Sequence, residues 1–203
     1  MTTQKTRTNV VEVFEELKEK GLIRKERKLK ESKFFSNFKN LGNTIFFNPS
    51  FKNLNKNYLR LILLHEEAHA TKKQRSKYVI ISSLILSFFS FCIFNIWLFK
   101  MKFIYSFILS LVILFSVFRL SFNYLKKDEF EADLFACSRL KEHYKIKNVS
   151  KLLENSLKSI HIKKKKNYSL FIKLYKIINY HPTMKERVNR IKTILEQNDN
   201  TKN

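Results

Sequence analysis

Two cysteines, two prolines, two glycines and one tryptophan are all that the 203 residues hold of these types. Two cysteines cannot build a disulfide framework. They are badly placed even for one bridge, because Cys92 falls inside a long uncharged stretch and Cys137 lies well beyond it. No disulfide is expected, and neither thiol demands an oxidising compartment. So little glycine and proline leaves no flexible linker, and there are no internal repeats. The segment Met1 to Gly21 has only Val10, Val11, Val13, Phe14 and Leu17 at helical spacing, so it lacks the apolar core of a secretion signal. Acid is scarce as well: 17 Asp and Glu stand against 40 Lys and Arg, a net charge of +23.

What is abundant is apolar sequence without charge. Tyr78 to Phe99 runs for 22 residues with no charged side chain, and Phe103 to Phe118 adds 16 more before Arg119. The first is long enough to cross a bilayer, which takes about 20 apolar residues. The second reaches that length if Arg119 snorkels and the helix continues through Phe122. Only Lys100, Met101 and Lys102 separate them, which predicts an antiparallel transmembrane hairpin over residues 78–122. Two buried helices of a soluble core are the alternative, but too little other apolar sequence remains to wrap them.

Charge then orients the hairpin. Four basic residues crowd Lys72 to Lys77, and Arg119, Lys126 and Lys127 flank the far end, against two in the connecting loop. The positive-inside bias predicts a two-span protein of the cell membrane, with both termini and the outer flanks in the cytoplasm. The same crowding explains the basic balance without nucleic acid. Forty basic residues excluded from the spans sit beside an anionic leaflet that attracts them. No zinc knuckle, helix-turn-helix or stacking-aromatic pattern supports a nucleic-acid partner. The densest run, Lys163 to Lys166, is expected to be a solvated loop or a lipid-surface contact.

Around the hairpin the pattern predicts a mainly α chain with a little β structure. An amphipathic helix is expected over Asn9 to Lys20, then a basic, irregular segment to about Leu41. Residues 1–41 are therefore set apart from a catalytic domain over 42–203. Asn43 to Asn48, bounded by Gly42 and Pro49, has the β-branched and aromatic content of a strand. A helix follows, starting near Asn53 or Asn55. The second span should run on through Asp128 to Cys137, since no Gly or Pro stops it. Further helices are expected over Ser150 to Ser159 and Tyr168 to Asn179. His181-Pro182 breaks the pattern, and Thr183 with Glu186 forms a capping box for a last helix to about Gln197, with Val188, Ile191 and Leu195 as one stripe.

The residues that point to chemistry are His65-Glu66-Glu67-Ala68-His69, which close the run from Tyr58 to Leu64. Residues at i and i+4 share a helix face, so both imidazoles can reach one metal ion from one side. Glu66, beside the first, is placed to take a proton from an attacking water. Glu67 lies on the next face and receives no part in the chemistry. A catalytic zinc takes three protein ligands, so one more must come from elsewhere. The natural place is Glu129-Phe130-Glu131-Ala132-Asp133, which a hairpin leaving and re-entering the membrane on one side returns to the histidines.

The order of these motifs, with a final His181-Pro182 and Arg187, resembles the integral-membrane zinc metallopeptidases that include the HtpX-type proteases and the CAAX prenyl endopeptidases. The resemblance covers about Gly42 to Ile194. It implies a membrane-embedded zincin-like metallopeptidase core, in which a short edge strand and the hairpin accompany two zinc motifs. It implies one Zn2+ per chain held by His65, His69 and Glu129, with Glu66 as general base and His181 supporting the oxyanion. Asp133 would orient a ligand imidazole, and Arg187 would anchor carboxylates near the metal. Thr44, Ile45 and Phe46 would lie on the edge that a peptide or membrane-protein substrate joins as an added strand. Alternatives remain in the residues themselves. Glu131 could replace Glu129, though a two-residue offset points it to the opposite side of a helix. His181 could be a turn residue, and Arg187 a surface residue of the last helix. His143 and His161 have no partner carboxylates at metal spacing and are expected to be solvated.

Overall fold

A computed structural model describes residues 9–71, 81–82, 84–89, 92–93, 103–164 and 182–200. The element order is α1 (Asn9–Glu19), β1 (Lys28–Glu31), β2 (Lys39–Leu41), β3 (Thr44–Phe47), a 3-10 turn (Pro49–Phe51), α2 (Lys56–Thr71), α3 (Phe103–Tyr144), α4 (Val149–Lys164) and α5 (Met184–Asn200). The fold is mainly helical with one three-stranded sheet. Two compact units result: residues 1–72 with 130–203, and residues 73–129.

In the first unit α1 packs along α2, and α2 also meets β2 and α4. Val10, Val13, Phe14 and Leu17 form the buried stripe of α1, and Leu59, Ile62 and Leu63 the facing surface of α2. Burying each such side chain stabilises the fold by about 1.5–3 kcal/mol. Asn55 starts α2: its Oδ1 accepts from Asn57 N at 2.9 Å, and its carbonyl accepts from Leu59 N. The capping box of α5 is present, with Thr183 N donating to Glu186 Oε2 (2.6 Å) and Glu186 N to Thr183 Oγ1 (3.2 Å). Ile191 of that helix is buried, with Val188 and Leu195 packed beside it.

The sheet corrects two expectations. The segment before Leu41 is not irregular, since it contributes β1 and β2. The strand order is β1-β3-β2, with β1 parallel and β2 antiparallel to β3. The strand holding Thr44, Ile45 and Phe46 is therefore central, not an edge. Both sides of its backbone are paired, so no substrate strand can add to it. Gly42, at φ +57, opens the two-residue turn from β2 to β3, a conformation glycine adopts freely. α1 and Leu29 of β1 pack with the core that holds α2, and β2 lies in the same compact unit.

The second unit is helical where described, at residues 81–82, 84–89 and 92–93 and in the first part of α3. As its lack of Gly and Pro predicts, α3 runs unbroken for 42 residues. Among the described residues no helix is long and apolar enough to cross a membrane. The expected hairpin falls in good part on residues outside the described set, as do the expected helix over Tyr168 to Asn179 and His181.

Candidate metal centre

The ring of His65 is fixed from behind. Its Nδ1 lies 2.9 Å from Asp133 Oδ1, an ion-pair contact across from α2 to α3. Asp133 is fully buried and takes a second grip from α5, where Arg187 Nε donates to Oδ2 at 2.6 Å and an Arg187 terminal nitrogen to Oδ1 at 2.5 Å. Burial opposes ionisation of Asp133, but the Arg187 guanidinium and the His65 imidazole outweigh it and hold the carboxyl below its ordinary range. The fork of Arg187 suits a carboxylate in both shape and charge. A helix that starts at Met184 thus determines how an imidazole on α2 is turned.

The Asp133 carboxylate favours a proton on Nδ1, which leaves Nε2 as the bare nitrogen of His65; it faces His69 Nε2 at 3.1 Å. The two rings stand nearly perpendicular, centroids 4.7 Å apart. Glu129 lies one turn before Asp133 on the same unbroken helix. One donor atom each from His65, His69 and Glu129 lie within 4.8 Å of one another. Among the described residues this is the one such cluster of His, Cys, Asp and Glu, and Glu131 is not in it. The donors fit zinc, which accepts imidazole nitrogen and carboxylate oxygen together. At a zinc–nitrogen distance of about 2.0–2.1 Å, two nitrogens on a tetrahedron stand roughly 3.3 Å apart, close to the spacing found here.

Glu66 is half-buried beside these histidines, and among the described residues no hydrogen bond or ion pair holds its carboxylate. Thr44, Ile45 and Phe46 sit in the middle of the sheet, with Ile45 buried in the core. His181 lies outside the described residues. Cys137, one turn beyond Asp133, is buried, and burial with the nearby Asp133 charge pushes its thiol far above the ordinary value, so it stays an inert thiol.

One cluster had no place in the sequence reading. Glu67 is not on an idle face: it is 1% exposed and takes Arg27 Nε at 2.7 Å and Arg24 Nε at 2.8 Å. Arg27 is itself buried, and its other nitrogens donate to Asn40 Oδ1 (2.8 Å) and to the Gly42 carbonyl. The helix of the two histidines is thereby bolted to β2 and to the turn before β3. A signal was present in the sequence, because Glu67 is four residues from Leu63 and three from Leu64, on the apolar side of α2.

A model of peptidase family M48 matches residues 8–195 of the chain. No curated protein and no solved structure matches.

Proposed function

The chain belongs to peptidase family M48, the family of the HtpX-type and CAAX prenyl protease metallopeptidases, and from that membership we propose that it is a zinc-dependent endopeptidase. We place it in a membrane by a two-helix hairpin, with its active site at the cytoplasmic face. The observation that carries the chemistry is the convergence of His65, His69 and Glu129, with His65 oriented by Asp133 and Arg187.

Zinc bound to these three side chains would polarise the scissile carbonyl and lower the pKa of a water towards about 7. The remaining steps belong to the chain's own residues. Glu66, which has no partner among the described residues, accepts the proton of the attacking water and returns it to the leaving amine. Asp133 keeps the His65 proton on Nδ1, so Nε2 stays a ligand throughout. Arg187 keeps Asp133 ionised. His181 is assigned to the carbonyl oxygen that gains charge as the water attacks.

Support for the membrane location comes from the uncharged stretches and their basic flanks. It also comes from the described side chains of the second unit: Ile81, Leu84, Ile85, Phe88, Phe89 and Phe115 are each half or more exposed. An apolar surface of this kind is costly in water. Peptides or membrane proteins are the substrate class.

Metal analysis of the detergent-purified chain tests the reading. One zinc per chain is expected, lost on His65→Ala, His69→Ala or Glu129→Ala and kept on Glu131→Ala. A protein without stoichiometric zinc, or one that keeps it after His65→Ala, overturns the assignment.

A further inference from the structure

The sheet turns one face to the core and leaves the other open. Ile45 and Phe47 point inward, Leu29 and Asn40 share their side, and the alternate positions point out. Strand register lines up the outward positions in two rows: Lys30, Phe46 and Lys39 in one, Lys28, Thr44 and Leu41 in the other. Phe35 leans on Phe46 with ring centroids 5.3 Å apart, and Phe34 meets Phe35 edge-on at 5.2 Å. Their loop is tied down. Asn48 Nδ2 donates to the Phe35 carbonyl at 2.8 Å, and Ser32 N to the Phe47 carbonyl at 2.9 Å. Phe34 is therefore held outward at 88% exposure, with Leu41 at 45% on the same side.

Lysines surround this aromatic ridge. Lys28, Lys30, Lys33 and Lys39 are all exposed, and among the described residues none is in an ion pair. Glu31 is the one acid between residues 28 and 48, and it is taken by Lys52 at 2.6 Å.

We infer that this outer sheet face docks on an anionic lipid surface, with Phe34 at the boundary of headgroup and acyl chain and the four lysines among acidic headgroups. The chemistry favours lipid over the other partners of a basic, aromatic face. The rings meet edge-on and tilted, so they offer no row of parallel platforms on which bases could stack. Phe46, at the middle of the face, lies on a strand paired on both sides, which cannot take a peptide as an added strand. An exposed phenylalanine ringed by lysines is the composition of an interfacial anchor, whose binding combines apolar burial with attraction to acidic headgroups. The inference rests on the membrane location proposed above and adds which face of the histidine-bearing unit meets that membrane.

The test uses the full chain with Trp97→Phe, which removes the only tryptophan, and Phe34→Trp, which places a reporter at an exposed position. The protein is reconstituted into vesicles of phosphatidylcholine alone or of equal parts phosphatidylcholine and phosphatidylglycerol. In the anionic vesicles the indole emission should shift to the blue, brominated lipid should quench it, and acrylamide quenching should fall at least about twofold. Raising salt, or adding Lys28→Glu, Lys30→Glu and Lys39→Glu together, should restore the acrylamide quenching seen in neutral vesicles. An indole equally open to acrylamide in both vesicles, or buried alike in both, overturns the inference. Flotation that survives alkaline carbonate reports the hairpin independently. Its loss would remove the two-span reading, whereas the sheet face is decided by the indole.

Discussion

Adjacent glutamates on α2 meet opposite surroundings. Glu66 is half-buried with no partner among the described residues, which leaves its carboxylate available for a proton. Glu66→Gln keeps the size of the side chain but not the base. The variant should hold its zinc and its thermal midpoint while peptide cleavage falls by at least ~10². Unchanged cleavage would remove Glu66 from the mechanism. Glu67 is buried between two arginines, and Arg27 is buried with it. Removing one partner of a buried pair strands the other charge, at a cost of about 3–5 kcal/mol. Arg27→Met should lower stability by that amount in denaturant unfolding. Arg27→Met with Glu67→Leu should cost much less than the sum of the single changes. A double-variant cost equal to the sum of the two single costs would mean that the pair does not couple the sheet to the helix.

At the scale of elements, α3 has two tasks. Its later half supplies Glu129 and Asp133 on successive turns, and its end is set by a residue under strain. Lys145 takes φ 54, a left-handed conformation that costs a non-glycine residue roughly 1–2 kcal/mol. Lys145→Gly relieves that cost but gives the unfolded chain more freedom. A net gain of about 0.5–1 kcal/mol in thermal or denaturant stability is expected; a loss would show that the lysine makes a compensating contact. The strands show the other side of element formation. Lys28–Glu31 and Lys39–Leu41 have little strand character alone, and they become strands because β3 supplies a hydrogen-bonding partner on each side.

For the molecule as a whole, one polar cluster joins three helices. Arg60 of α2 forks onto Glu16 of α1, and Tyr144 at the end of α3 donates to the same carboxylate at 2.7 Å. Lys20 and Arg60 both lie over the Tyr144 ring, at 4.0 and 4.3 Å. Burial opposes ionisation of Glu16, but Arg60, Tyr144 and Lys20 outweigh it and hold its carboxyl below the ordinary 4.5. Burial and the Glu16 charge push the Tyr144 hydroxyl well above its ordinary 10.0. The signs follow. The depressed Glu16 contributes fully above pH 4.5, and its contribution is lost as pH falls through its folded value. The raised Tyr144 contributes fully below pH 10, and its contribution is lost as pH climbs through its folded value. The thermal midpoint of the wild type should therefore exceed that of Glu16→Gln near neutrality, and the gap should close as pH falls below 4.5 and through the folded value. A gap independent of pH would mean that the cluster acts by packing alone.

Much of this protein was legible along the chain. Helix α1, the start of α2, the unbroken α3 and the capping box of α5 depend on periodicity and on residues within one or two turns, so sequence alone determined them. The His65–His69 spacing likewise places two imidazoles on one face wherever the helix lies. Family resemblance named Glu129, Asp133 and Arg187, but only the folded chain brings Asp133 onto His65 and Arg187 onto Asp133, from two other helices. Three features were decided by tertiary structure. The strand Thr44–Phe47 became central because lysine-rich segments, weak as strands alone, paired on both of its sides. The segment before Leu41 joined the core because α1 needed α2 to cover its apolar stripe. Glu67 went inward because Arg27, 40 residues away in sequence, was there to neutralise it. Local spacing records which residues share a face; what that face meets is set by contacts across the whole chain.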